Sequence, residues 1–133
     1  VYMKFFAAFF ISLSSLIHIL FFKLESIDFM NPEVLTKFNL DSTSGAFVET
    51  WAFNQGFYNL FLALGLIYAL VSIFKFKKVS TIVMANFILV TMVGAGLVLY
   101  ISEPTKLFAA LVQAIPALCA LITLNTFKKS LSA

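Results

Sequence analysis

The sequence predicts an all-α integral membrane protein, an antiparallel four-helix bundle with a short outer-surface helix between its first and second spans. Three observations lead there. The chain of 133 residues is 62% hydrophobic and only 11% charged, with a mean hydropathy of +1.02, which lies well outside the range of water-soluble domains. Four stretches without a charged residue approach or exceed the roughly 20 helical residues that cross about 30 Å of hydrocarbon. The turns joining the second, third and fourth stretches are short, which forces neighbouring helices to run antiparallel. At this length the chain reads as one transmembrane domain, residues 1–133.

The first apolar stretch, Phe5–Phe22, places a span at about 5–24. It imitates the apolar part of a signal peptide, but it is long and no small-residue cleavage site follows, so it reads as a retained span. An acidic outer segment, 25–50, comes next. Within it Asn31-Pro32-Glu33 puts a capping residue, a first-turn proline and an acid in the order that starts a helix. A short helix through about Asn39 would set Val34, Leu35 and Phe38 on one side, lying on the membrane surface or capping the bundle. Asp41-Ser42-Thr43-Ser44-Gly45 reads as a turn, after which the second helix can begin before the membrane does. The remaining spans fall at about 51–74, 79–102 and 107–127, joined by the basic turn Lys75–Lys78 and the short turn Glu103–Lys106.

Orientation follows from the lysines, because positive flanks stay cytoplasmic. Lys4, Lys75, Lys77, Lys78, Lys128 and Lys129 share one side with no acid among them. All six acids, Glu25, Asp28, Glu33, Asp41, Glu49 and Glu103, fall on the other side with Lys23, Lys37 and Lys106. Both termini are therefore expected in the cytoplasm, with Trp51 and Tyr100 at the outer interface where amphipathic rings are favoured. The net charge of +3 does not point to nucleic acid, since the lysines flank apolar runs instead of forming a soluble basic face.

Polar groups in hydrocarbon are costly, so their positions carry most of the functional information. In the first span Ser14, Ser15 and His18 share a stripe, and Glu25, seven residues beyond His18, returns to nearly the same face. In the second span Asn54 and Tyr58 are four apart, as are Gln55 and Asn59, which makes the outer end of that helix polar. The fourth span contributes Gln113, and Pro116 beyond it frees a backbone carbonyl nearby. With a rise of about 1.5 Å per residue, His18, Asn59 and Gln113 each lie roughly 9–12 Å below the outer surface. Asn54, Gln55 and Glu25 sit above that layer. The candidate site is therefore His18, Glu25, Asn54, Gln55, Tyr58, Asn59 and Gln113, lining one polar funnel that opens outward and closes over an apolar inner half. Asn86 lies nearer the cytoplasmic end and outside this layer.

The bland alternative is that these residues only hydrogen-bond between helices, each contributing about 1 kcal/mol. Seven polar groups converging at one end exceed what helix adhesion usually needs. One histidine, one carboxylate and amides make a poor ligand set for zinc or copper, so no metal or other cofactor is expected. Cys119 lies in an apolar run and reads as a small buried hydrophobe. No nucleophile elbow, phosphate loop or metal-binding His pair occurs, and no catalytic residue is assigned. Gly65 with Ala69 and Ala110 with Ala114 read as small-residue seams for close helix packing, and Gly94-Ala95-Gly96 reads the same way or as a local loosening of its helix.

The run Asn54-Gln55-Gly56-Phe57-Tyr58-Asn59-Leu60-Phe61-Leu62-Ala63, the segment Gln113-Ala114-Ile115-Pro116-Ala117-Leu118, and His18 with Glu25 resemble the bacterial membrane family called domain of unknown function 1304. The similarity spans nearly the whole chain. It implies four spans in a bacterial cytoplasmic membrane and a family without an established activity. The reading favoured by the residues is a non-enzymatic bundle that binds or passes a small amphipathic molecule. One alternative is a small membrane enzyme in which His18 or Glu25 moves a proton on a lipid-like substrate. Another is an accessory or structural subunit. The lipid bilayer is the expected partner, and homo-oligomerisation stays open.

Overall fold

The architecture comes from a computed structural model describing residues 2–132. Five helices follow in order: α1 (Tyr2–Phe22), α2 (Pro32–Lys37), α3 (Ser42–Phe74), α4 (Ile82–Ser102) and α5 (Leu107–Ser132). No strand occurs among the described residues. Four helical segments, Tyr2–Ile27, Ser42–Phe74, Val79–Ser102 and Pro104–Lys129, are long and apolar enough to cross a membrane. The chain is a multi-pass, all-α membrane bundle.

The four long helices pack as a ring in which α1 lies between α3 and α5, and α4 closes the other side. The α3–α4 seam is the least extensive of the four. Away from α2 the interior is mainly apolar: Ala7 and Ile11 of α1, Leu66, Ala69 and Ile73 of α3, Leu89 and Met92 of α4, and Ala120 and Leu124 of α5 are buried together, with Ser72 a buried polar neighbour of Ile73. The many alanines let the backbones approach closely. Gly65 faces Ile88 across the α3–α4 seam, where an added β-carbon would lie 2.7 Å from Ile88 Cδ1. Gly96 of α4 lies against the Ala110 carbonyl and the Ala114 side chain of α5, each 2.8 Å from the β-carbon it lacks. Both small-residue seams thus meet another helix, and α4 runs unbroken through Gly94 and Gly96. Phe5, Phe9, Phe61, Tyr68, Phe87, Phe108 and other large side chains are exposed on the outside of the bundle, where lipid would cover them.

The end that carries the acids is built by three local devices. First, α1 widens into a π-helical turn, Lys23–Ile27, in which the Asp28 N–H reaches the Lys23 carbonyl at 2.9 Å; the Lys23 ammonium also pairs with the Asp28 carboxylate. Second, Asn31 caps α2 by accepting the Glu33 N–H at 3.0 Å, with Pro32 at the first helical position. The helix ends at Lys37 because Asn39 turns left-handed (φ 59). The Leu40 and Asn39 N–H groups then return to the Leu35 and Thr36 carbonyls, a Schellman closure. Third, Asp41 caps α3 by accepting the Ser44 N–H at 2.7 Å, and that bond holds its carboxyl below the ordinary aspartate value. The segment from Ser42 to Gly45, expected as a turn, is therefore the first turn of α3, because Asp41 stands three residues before an N–H it can satisfy. Gly45 lies under Leu35, with no room for a β-carbon. At the same end, Lys106 donates to the Lys37 carbonyl at 2.6 Å and ties the α4–α5 turn to the last turn of α2.

Candidate functional site

The π-helical turn points side chains toward α3 that an ordinary turn would carry past it, and Gly56 makes the approach feasible. A β-carbon at Gly56 would fall 2.0 Å from Ser26 Oγ and 3.1 Å from Glu25 Cβ. Over that glycine the Ser26 hydroxyl donates to the Phe53 carbonyl at 2.7 Å. One helical turn deeper, Asn59 Nδ2 donates to Glu25 Oε2 at 2.8 Å. These two bonds join the end of α1 to α3. A π-turn at such a position is a common mark of a site.

Beside this junction, toward α2, lies an open cavity of about 350 Å³. Glu25 and Phe29 approach it from the π-turn and the loop that follows, and Phe38 and Leu40 from the end of α2. Val48, Trp51, Ala52 and Gln55 of α3 complete the wall. Phe29 and Phe38 stand 5.5 Å apart between ring centroids. Trp51 is 78% exposed and forms the rim. The wall is thus mostly apolar and aromatic with two polar side chains, the usual make-up of a small-molecule site.

The other expected residues take different places. His18 is fully buried, with Nδ1 2.9 Å from the Ser14 carbonyl. A carbonyl can only accept, so Nδ1 carries the proton, and Nε2 of the neutral ring is an acceptor. Neither Nε2 nor the buried Ser14 hydroxyl has a partner among the described residues, while Ser15 returns its hydroxyl to the Ile11 carbonyl at 2.9 Å. Gln113 is buried on α5, its Cγ packed against Gly96 of α4. Asn59 and Gln113 sit on helices diagonal to each other, and no hydrogen bond links them or His18 among the described residues. Asn54 is exposed and donates to the Thr50 carbonyl of its own helix at 3.1 Å. Tyr58 is 62% exposed on the outside of the bundle. Of the seven, Glu25 and Gln55 share the cavity wall, and Asn59 reaches it by holding Glu25.

Several contributors escaped the reading of the sequence. The aromatic wall, Phe29, Phe38 and Trp51, is scattered over two elements and a loop, and no linear pattern marks it. Ser26 and Gly56 could have been suspected, since a glycine inside an apolar helix signals close approach. At the opposite end, Asn86 of α4 exchanges two amide hydrogen bonds, 2.9 and 3.0 Å, with Asn125 of α5. Asn125 also donates to the Leu121 carbonyl at 2.8 Å.

No curated protein and no solved structure matches the chain. The family model described as "Protein of unknown function (DUF1304)" matches residues 12–125. That stretch takes in the α1 stripe, the π-turn, the cavity wall, Gln113 and the Asn86–Asn125 pair, and the chain belongs to this family.

Proposed function

We propose that the chain is a non-enzymatic protein of a bacterial cytoplasmic membrane that binds or passes a small amphipathic molecule at the acidic end of its bundle. The observation that carries this reading is the cavity between α2, α3 and the π-turn, where an aromatic wall meets Glu25 and Gln55. Its volume lies at the low end of the range for small-molecule sites. A subunit whose polar residues served only to join helices would have no use for such a wall. Of the two residues that the proton-transfer alternative could use, His18 is wholly buried and off the wall, and Glu25 is on the wall with one oxygen held by Asn59. The same reading sets the acidic end outside and both termini in the cytoplasm, in keeping with the six lysines at the other end.

The test is to fill the cavity. Ala52→Phe adds a ring to the wall on a helix that tolerates phenylalanine. Wild type and variant, purified in mild detergent, are extracted with organic solvent, and the extracts are compared by mass spectrometry. Wild type should carry a small amphipathic species that Ala52→Phe loses, with thermal stability within a few degrees. The same complement of species in both extracts would remove the proposal.

A further inference from the structure

We propose that the molecule this cavity takes is an amphipathic ammonium cation, an alkyl or arylalkyl amine whose apolar body lies on the aromatic wall and whose nitrogen faces Glu25. This rests on the reading of the cavity as a binding site and adds the chemical class of the occupant.

Four observations converge on a positive charge. Glu25 is the only ionisable side chain on the wall, and the other polar group there, Gln55, is neutral. Asn59 engages only Oε2 of that carboxylate, which leaves Oε1 for a guest. Second, the carboxylate has no cationic partner among the described residues: Lys23 is held by Asp28, Lys106 by the Lys37 carbonyl, and the Lys37 side chain is off the wall. A half-buried carboxylate among apolar groups is unfavourable unless a proton or a counter-charge neutralises it, and a bound cation supplies the second. Third, Phe29, Phe38 and Trp51 place three aromatic rings on the wall, and aromatic rings attract ammonium groups. Fourth, all six acids of the chain lie at this end, against three lysines, so the surrounding field draws cations toward the cavity mouth and repels anions.

The same charges exclude neighbouring chemistries. A carboxylate or sulfate amphiphile would meet Glu25 with like charge. A sugar headgroup would find only two polar side chains for its many hydroxyls. A zwitterionic phospholipid would bring its phosphate among the acids with no free lysine on the wall. We therefore commit to a free amphipathic amine and not to a lipid headgroup.

The protein supplies its own reporter, because Trp51 is the only tryptophan of the chain and stands at the rim. Full-length protein in detergent is titrated with three probes sharing one apolar body, 4-phenylbutyl-trimethylammonium, 4-phenylbutanol and 4-phenylbutyrate, and with dihexanoyl-phosphatidylethanolamine, following Trp51 fluorescence. The cation should bind at least about tenfold more tightly than the other three. Glu25→Gln, which keeps an acceptor for Asn59, should remove that preference, and Glu49→Gln, an exposed acid off the wall, should keep it. Phe38→Leu keeps apolar volume but removes a ring face, and should weaken the cation more than the alcohol. These two further variants keep the test decisive if Glu25→Gln proves unstable.

Equal affinity for cation, alcohol and carboxylate would overturn the cation proposal while leaving an amphiphile site in place. Tighter binding of the carboxylate or of the phospholipid would do the same. No Trp51 response to any probe would overturn both this inference and the reading beneath it.

Discussion

At Gly56 a single hydrogen atom decides whether the end of α1 can reach α3. A β-carbon there would meet Ser26 Oγ at 2.0 Å, so Gly56→Ala must push the π-turn outward, stretching the Ser26–Phe53 and Asn59–Glu25 bonds together. Overpacking of this kind costs about 1–3 kcal/mol, and the melting temperature should fall by several degrees. Gly94, in the adjacent half of the bundle, has nothing within 4 Å of its absent β-carbon. Gly94→Ala should therefore be neutral or raise stability by up to about 1 kcal/mol, the helix-propensity difference. Thermal melts of the two variants in one detergent check the pair. Equal shifts would show that the close approach at Gly56 contributes nothing. The contrast also shows why glycines read in sequence are ambiguous: both interrupt apolar helices, and only the neighbouring element separates them.

Between elements, the α4–α5 pair is joined by small residues at one end and by amides at the other. Gly96 on Ala110 and Ala114 sets the backbone distance, and Asn86 with Asn125 sets the register by a reciprocal amide pair. Interhelical hydrogen bonds in membranes are modest, about 1 kcal/mol, so this pair aligns the two helices more than it holds them together. Asn86→Ala and Asn125→Ala should each lower stability, and the double variant should lose less than the sum, with a coupling of about 1 kcal/mol in a double-mutant cycle followed by thermal melting. Strict additivity would mean that the two amides do not interact. Asn86 was visible in the sequence as a polar residue outside the main layer. Its partner was not, because Asn125 lies 39 positions away and the match depends on which faces of α4 and α5 meet.

Over the whole molecule, charge is divided by end, with six lysines and no acid at one and six acids with three lysines at the other. Topology should follow, since translocating lysines is the costlier choice. After Cys119→Ser, single cysteines at Ser42 and at Lys77 report the two ends. A membrane-impermeant thiol reagent should label intact cells at Ser42 and spare Lys77, and the reverse pattern would invert the orientation. The same division of charge underlies the proposed ligand class, so the expected topology and that proposal rest on one distribution of charge.

The sequence alone determined that the chain crosses the membrane with four antiparallel helices, because span length and short turns are local properties that lipid makes obligatory. It also determined where α2 begins, because the capping pattern at Asn31 is local, and it singled out Glu25, Gln55 and Asn59 as polar groups that needed an explanation. Only the tertiary structure decided how those groups are used. The ring order set α3 and α5 on a diagonal, which parted Asn59 from Gln113, and the π-turn with Gly56 brought Glu25 to Asn59 instead. The cavity wall belongs to the same class of outcome: its aromatic rings come from a loop, the end of α2 and the half of α3 nearest α2, and helical periodicity orders residues within one element but says nothing of which elements will face one another.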